Sequence, residues 1–342
     1  MSKHTGLVVA YQLDNRQEIF LPTKPFHSMW DLKTGENTET SEVALCFLSS
    51  IVAGRVKPEE YEEVAYYTLL TIDNVIDMME YPFYHNKLTA QARRSVGVGI
   101  TNLAHYLASE GESYTTEGGK RLMHELAERH YYWLAKASLK LSKEKGLAEW
   151  MHKTKWPEGW LPIDTYAKAV DDIQNFELHF DWEELRKGIV ENGGIRNSVL
   201  VAVAPNESSS LVSNSLNSVY PLRDPIIFKQ SQKGNVLFIA PDYKKLKNKY
   251  QLAWDVPNKD IAEMYGIMTK FVDQGISADQ WVDYTQLPGG KVSYRDQMQY
   301  IFTAAKLGVK SFYYMNSRTK SADMLTDEDL VQEESACEAC SL

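Results

Sequence analysis

The run Ser198-Val199-Leu200-Val201-Ala202-Val203 constrains this chain more than any other stretch. A continuous apolar segment this short reads as a strand buried on both faces. Such a strand needs cover on each side. Val309-Lys310-Ser311-Phe312-Tyr313-Tyr314 reads as a second strand, entered from a helix over about 293–306 that closes at Gly308. Strands alternating with long helices predict an α/β architecture with parallel strands.

The helices that would cover them are legible. One follows Pro58, with Glu59 and Glu60 in its first turn, where proline and acidic residues suit a helix start. Its apolar face reads Ala65, Thr68, Leu69, Ile72, Ile76 and Met79. A second helix spans about 119–145, with Met123, Leu126, Trp133, Leu134, Ala137 and Leu141 inward. Residues 154–182 read as irregular connection, 31–41 as a polar loop, and 1–20 show no clear element. With 342 residues and 44% hydrophobic content, a substantial core can be buried. No apolar run approaches the roughly 18 residues of a membrane helix, and the N-terminus carries no secretory pattern. Three cysteines argue against a disulfide-stapled secreted protein, so a cytoplasmic location with reduced thiols is expected. The net charge of −9 disfavours nucleic-acid binding. Residues 321–342 hold seven acidic residues and no basic ones, which leaves the rest of the chain near −2.

Four places could carry chemistry. After the apolar run come Ala204-Pro205-Asn206-Glu207-Ser208-Ser209-Ser210, a tight loop and helix start. Free N–H groups and hydroxyls there serve either as an ordinary cap or as an anion site. Tyr313 and Tyr314 close a strand, where adjacent side chains point to opposite faces, one to the core and one to the surface. Cys337-Glu338-Ala339-Cys340 is a dithiol on the acidic tail. Without a second Cys/His pair of matching spacing, thiol–disulfide exchange ranks above a zinc half-site. Cys46, in a helix-rich region, reads by itself as a small buried hydrophobe. Gly97-Val98-Gly99 lacks the third glycine of a dinucleotide fingerprint.

In order along the chain stand Leu21-Pro22-Thr23-Lys24-Pro25, Ala44-Leu45-Cys46, Pro205-Asn206-Glu207-Ser208-Ser209-Ser210, Gly308-Val309-Lys310-Ser311-Phe312-Tyr313-Tyr314 and the terminal cysteine pair. Together with Arg93-Arg94-Ser95-Val96-Gly97-Val98-Gly99, Leu161-Pro162-Ile163-Asp164-Thr165-Tyr166 and Arg196-Asn197-Ser198, they resemble the C-terminal half of the catalytic subunit of class I ribonucleotide reductase. The resemblance implies the second half of a ten-stranded α/β barrel over 21–318, with additional helices. It also implies an N-terminal extension over 1–20 that could dock onto another chain, and a flexible redox tail over 319–342. Cys46 resembles the barrel cysteine that, with a partner cysteine, reduces the ribose 2′ position. Asn206, Glu207, Ser208, Ser209 and Ser210 resemble the substrate diphosphate site. Tyr313 and Tyr314 resemble the stacked tyrosines of the radical relay, Tyr314 toward the small subunit and Tyr313 toward the thiyl cysteine. Cys337 and Cys340 resemble the dithiol that re-reduces the active site. About 20 residues of flexible tail reach roughly 25 Å.

The family's Asn-x-Cys-x-Glu loop falls here on Asp14, Arg16 and Glu18, so the thiyl cysteine is replaced by Arg16. The resemblance therefore implies a split reductase. Its partners would be an N-terminal fragment of the large subunit, a small subunit whose di-metal centre supplies the tyrosyl radical, thioredoxin or glutaredoxin, and a ribonucleoside diphosphate. No cofactor or metal is expected on this chain itself. The rival expectation is a noncatalytic remnant that binds the small subunit.

Overall fold

The computed structural model describes residues 45, 47–81, 83–231 and 234–319. The elements run β1 (Phe47–Val52), α1 (Tyr61–Met78), α2 (Tyr84–Arg93), β2 (Val96–Thr101), α3 (Leu103–Glu110), α4 (Glu117–Lys145), α5 (Pro162–Thr165), α6 (Trp182–Asn192) and α7 (Glu207–Val212). There follow β3 (Ile226–Ser231), β4 (Gly234–Ile239), α8 (Tyr243–Leu246), α9 (Asn258–Thr269), β5 (Ser277–Asp283), α10 (Tyr294–Lys306) and β6 (Ser311–Arg318). Among the described residues the strands form three pairs. β1–β2 and β5–β6 are parallel, as the alternation of strands and helices predicts, and β3–β4 is an antiparallel hairpin.

The α4 helix is the spine. Thr116 caps it by accepting the Gly119 N–H at 3.1 Å, and its buried face packs on α1, α6 and α9. Met123, Leu126, Leu134, Ala137 and Leu141 are buried as the period predicts, and Trp133 is half-buried. On α1 the predicted face holds at Ala65, Leu69, Ile72 and Ile76, but Met79 lies past the helix end and is exposed. Its buried stripe also includes Asp73. Burial alone would push that carboxyl up, yet Arg196, Lys145 and Arg94 around it hold it below the ordinary range. Their contacts measure 3.0, 2.7 and 2.6 Å. Three cations from three separate segments on one fully buried carboxylate lock α1 to the end of α2, the end of α4 and the segment at Arg196 that leads into the apolar run.

The apolar run at 198–203 is buried as expected, but it departs from the predicted strand because it forms no regular ladder. Two bonds seat it beside β2, Val96 N–H to Val199 O at 3.1 Å and Val98 N–H to Leu200 O at 2.8 Å. On its far side the N–H groups of Leu200 and Val201 turn to the Asp273 carboxylate, at 2.6 and 3.0 Å, instead of to a strand. A buried amide must find an acceptor, and one carboxylate that takes two consecutive N–H groups breaks strand alternation. The segment enters through Asn197, whose amide donates to Arg94 O at 2.9 Å and accepts the Ser138 hydroxyl at 2.8 Å. Gly97 and Gly99 lie within strand β2, not in the strand-to-helix turn a dinucleotide site would need. At Gly99 the reason for glycine is close approach, since an added Cβ would sit 2.8 Å from Ala202 O.

The region after Cys46 is the strand β1 rather than a helix. Cys46 itself, residues 1–44 and the tail from 320 on, with Cys337 and Cys340, lie outside the described residues. No helix among the described residues is long and apolar enough to cross a membrane.

His130 ties α4 to β2 and α1. Its Nε2–H donates to Val98 O at 2.9 Å, which leaves Nδ1 to accept the Tyr61 hydroxyl at 2.8 Å. Burial pushes its pKa down to about 4. The unfolded chain takes up this proton near 6.5 and the folded chain resists it. Stability from this group is therefore present above about pH 6.5 and declines as pH falls toward 4, by about 3 kcal/mol in all. Urea titrations of His130→Gln should show a flatter pH dependence over that window; an unchanged slope would refute the assignment. Gly99→Ala forces a backbone contact that no side chain can relieve. It should lower stability by about 1–3 kcal/mol, read as a shift in the denaturation midpoint.

Candidate active site

The apolar segment delivers the loop at 204–206 to the rim of a cavity of about 620 Å³. Asn206 sits there in the left-handed region at φ 56°, which asparagine tolerates better than most side chains. Its amide donates to Ser50 Oγ at 2.7 Å, so β1 holds the loop. The turn places the start of α7 at the cavity, where the first N–H groups of a helix have no helical acceptor. The loop after α7 is held in turn by the end of β2. Thr101 Oγ1 donates to Leu216 O at 2.7 Å and accepts the Ser218 N–H at 3.1 Å. Asn102 accepts the Leu216 N–H and donates to Ala53 O, both at 3.0 Å.

Five residues singled out from sequence line this one cavity: Asn206, Glu207, Ser208, Tyr313 and Tyr314. Ser209 is exposed outside its lining. Ser210 is buried, and its hydroxyl is engaged with Asn217 Oδ1 at 2.6 Å and Glu207 O at 2.9 Å. Asn217 lines the cavity, so Ser210 reaches it through that neighbour.

The two tyrosines depart from the expected alternation. Both are exposed, at 57% and 50%, their ring centroids lie 4.0 Å apart, and the Tyr314 hydroxyl donates to that of Tyr313 at 3.2 Å. The cause is a β-bulge. Ala278 pairs with Phe312 and Gln280 with Met315, so Tyr313 and Tyr314 together oppose only Asp279. Two residues against one break the period of two, which lets neighbouring side chains share a side.

Sequence reading missed the opposite wall. Tyr220, Arg223, Asp279, Trp281 and Asn316 line the cavity too. Tyr220 packs on Trp281 at 5.6 Å, and burial, followed by Asp279, pushes its hydroxyl up. Burial also raises Asp279, against the opposing pull of the Asn316 amide, the Tyr314 N–H and Arg223. One signal was available: Asn316 stands two residues after Tyr314 and so shares its side of β6. Asp279 offered none, because it is a lone acid in a short segment.

The described residues define an α/β protein in which parallel strand pairs, backed by helices, gather a polar loop and a contacting tyrosine pair around one cavity. The family model for the ribonucleotide reductase barrel domain matches residues 17–315, and the chain belongs to that family. It is 39% identical over 314 residues to a ribonucleoside-diphosphate reductase subunit alpha of Haemophilus influenzae, covering 91% of this chain and 40% of that protein. The ribonucleoside-diphosphate reductase 1 subunit alpha of Escherichia coli K12 is 40% identical over 272 residues, covering 78% of this chain and 35% of that protein. The subunit alpha of Enterobacteria phage T4 is 37% identical over 314 residues, covering 90% and 41%. The chain thus spans well under half the length of these curated relatives.

Proposed function

We propose that this chain forms the C-terminal part of the large subunit of a ribonucleoside-diphosphate reductase. It would work together with polypeptide that supplies the first half of a ten-stranded barrel and the thiyl cysteine. The observation that carries the reading is a single cavity that holds both the 206–208 loop and the closely packed Tyr313–Tyr314 pair, whose rings are tilted by 52°.

In this reading the loop and helix start at Asn206, Glu207, Ser208, Ser209 and Ser210 receive the substrate diphosphate. The N–H end of a helix favours an anion, and Arg223 adds a positive charge to the same cavity wall. Tyr314 passes an electron and a proton toward a small subunit that bears the radical at a di-metal centre, Tyr313 replaces them on Tyr314, and the cysteine thiol replaces them on Tyr313 and so becomes the thiyl radical. The hydroxyl-to-hydroxyl bond between the rings supports such a transfer, because a proton can move along it as the electron moves between the rings. Cys46, with a partner cysteine from the first half, supplies two electrons to the ribose and becomes a disulfide. Cys337 and Cys340 then exchange with that disulfide, and thioredoxin or glutaredoxin reduces them in turn.

Tyr314→Phe tests the relay. It keeps the ring and removes the hydroxyl, so stability should change by no more than about 1 kcal/mol. Turnover of the assembly, measured as deoxyribonucleotide formed from ribonucleoside diphosphate, should vanish. Full turnover in this variant would mean the pair is only packing. The tail is tested by replacing Cys337 and Cys340 together with serine. The pre-reduced assembly should then complete one turnover and stall with thioredoxin, yet continue with dithiothreitol. Undiminished cycling with thioredoxin would remove the tail dithiol from the mechanism.

A further inference from the structure

We propose that Asp279 and Tyr265 are positioning residues that impose the bulge by which Tyr313 and Tyr314 come into ring contact. The consequence for catalysis rests on the relay reading above; the positioning does not. In a regular parallel pair each residue of β5 would meet one residue of β6, and the two rings would part to opposite faces. At Asp279 the ladder is interrupted, and both its backbone groups need other partners. Tyr265, fully buried on α9, provides them with one hydroxyl. That hydroxyl accepts the Asp279 N–H at 2.9 Å and donates to Asp279 O at 3.1 Å.

The Asp279 side chain then fixes the other strand. One carboxylate oxygen accepts the Tyr314 N–H and the other accepts the Asn316 amide, both at 3.2 Å. The carboxylate thus takes the Tyr314 amide, which keeps the extra residue of β6 in the bulge. The same carboxylate is 8% exposed at the cavity wall. The ionisable groups that bear on it are Arg223 and Tyr220 from the preceding loop, Glu207 on α7, Tyr265 on α9, Tyr300 on α10 and Tyr313 on β6. Protonation of Asp279 removes negative charge from both oxygens and leaves one of them a hydroxyl, so its hold on the Tyr314 N–H and the Asn316 amide weakens together.

The test is optical and uses the full chain. Two phenol rings 4.0 Å apart couple their transitions, so near-ultraviolet circular dichroism of the native chain minus that of Tyr313→Phe isolates the pair. Each Asp279 or Tyr265 variant is read the same way, against its own double variant with Tyr313→Phe. On acidification the native pair signal should fall by at least half, with a midpoint above the ordinary carboxylate value of 3.8. Asp279→Asn should keep the signal at pH 8, since the Asn316 amide can turn to meet it, but should lose the acid transition. Asp279→Ala and Tyr265→Phe should halve the signal at pH 8 if they fold; should they not fold, the asparagine variant decides alone. An acid transition in Asp279→Asn equal to the native one, or an undiminished signal in folded Asp279→Ala, overturns the proposal. In the assembled enzyme Asp279→Ala should lower kcat with KM unchanged. Optical loss with unchanged kcat would uphold the positioning and defeat the relay.

Discussion

The polar wall of the cavity depends on how residues 198–203 are held. Among the described residues the segment has a neighbour strand on one side only, and the Leu200 and Val201 N–H groups turn to the single carboxylate of Asp273. That exchange of a ladder for one anion lets the chain leave regular geometry at once and turn at Asn206. A continued strand would carry the polar loop away from β6. The close fit also explains glycine at position 99, where the backbone of Ala202 occupies the space a methyl group would need. Asp273 further accepts the hydroxyl of Tyr131 on α4, so the same carboxylate joins the spine of the molecule to its site.

Charges are distributed by function. In the interior, Asp73 is surrounded by Arg94, Arg196 and Lys145, and its ionised form is favoured. Removing one member of such a cluster strands the others, so it acts as a lock and carries no free chemistry. At the cavity the balance is reversed. Burial there outweighs the partners of Asp279, and at Tyr220 burial and the nearby Asp279 act together, so both are held toward their protonated forms. Groups shifted in this way cluster where proton movement is used, which agrees with the proposed relay.

Much of the fold was legible in sequence because it follows local periodicity. The helix after Pro58, the long helix to Lys145 and the helix closing at Gly308 each carry a 3.6-residue apolar face, and each forms close to its expected bounds. The buried run and the late strand were visible for the same reason. The loop at 205–210 and the tyrosine pair were also visible as candidate chemistry, because polar clusters after an apolar run and adjacent aromatic residues are local patterns.

What sequence could not hold is any property that depends on a contact between distant residues. Nothing in Ser198-Val199-Leu200-Val201-Ala202-Val203 announces that Asp273 will replace a neighbouring strand. Nothing in Tyr313-Tyr314 announces that Asp279 will oppose both rings and bring them together. Alternation in a strand is a local rule, and it fails where a side chain from elsewhere competes for backbone hydrogen bonds. The sequence by itself determined the longer helices, the late strand and the residues available for chemistry. Only the tertiary structure decided which of those residues share a cavity and which way the tyrosines face, because both depend on hydrogen bonds between segments more than 30 residues apart.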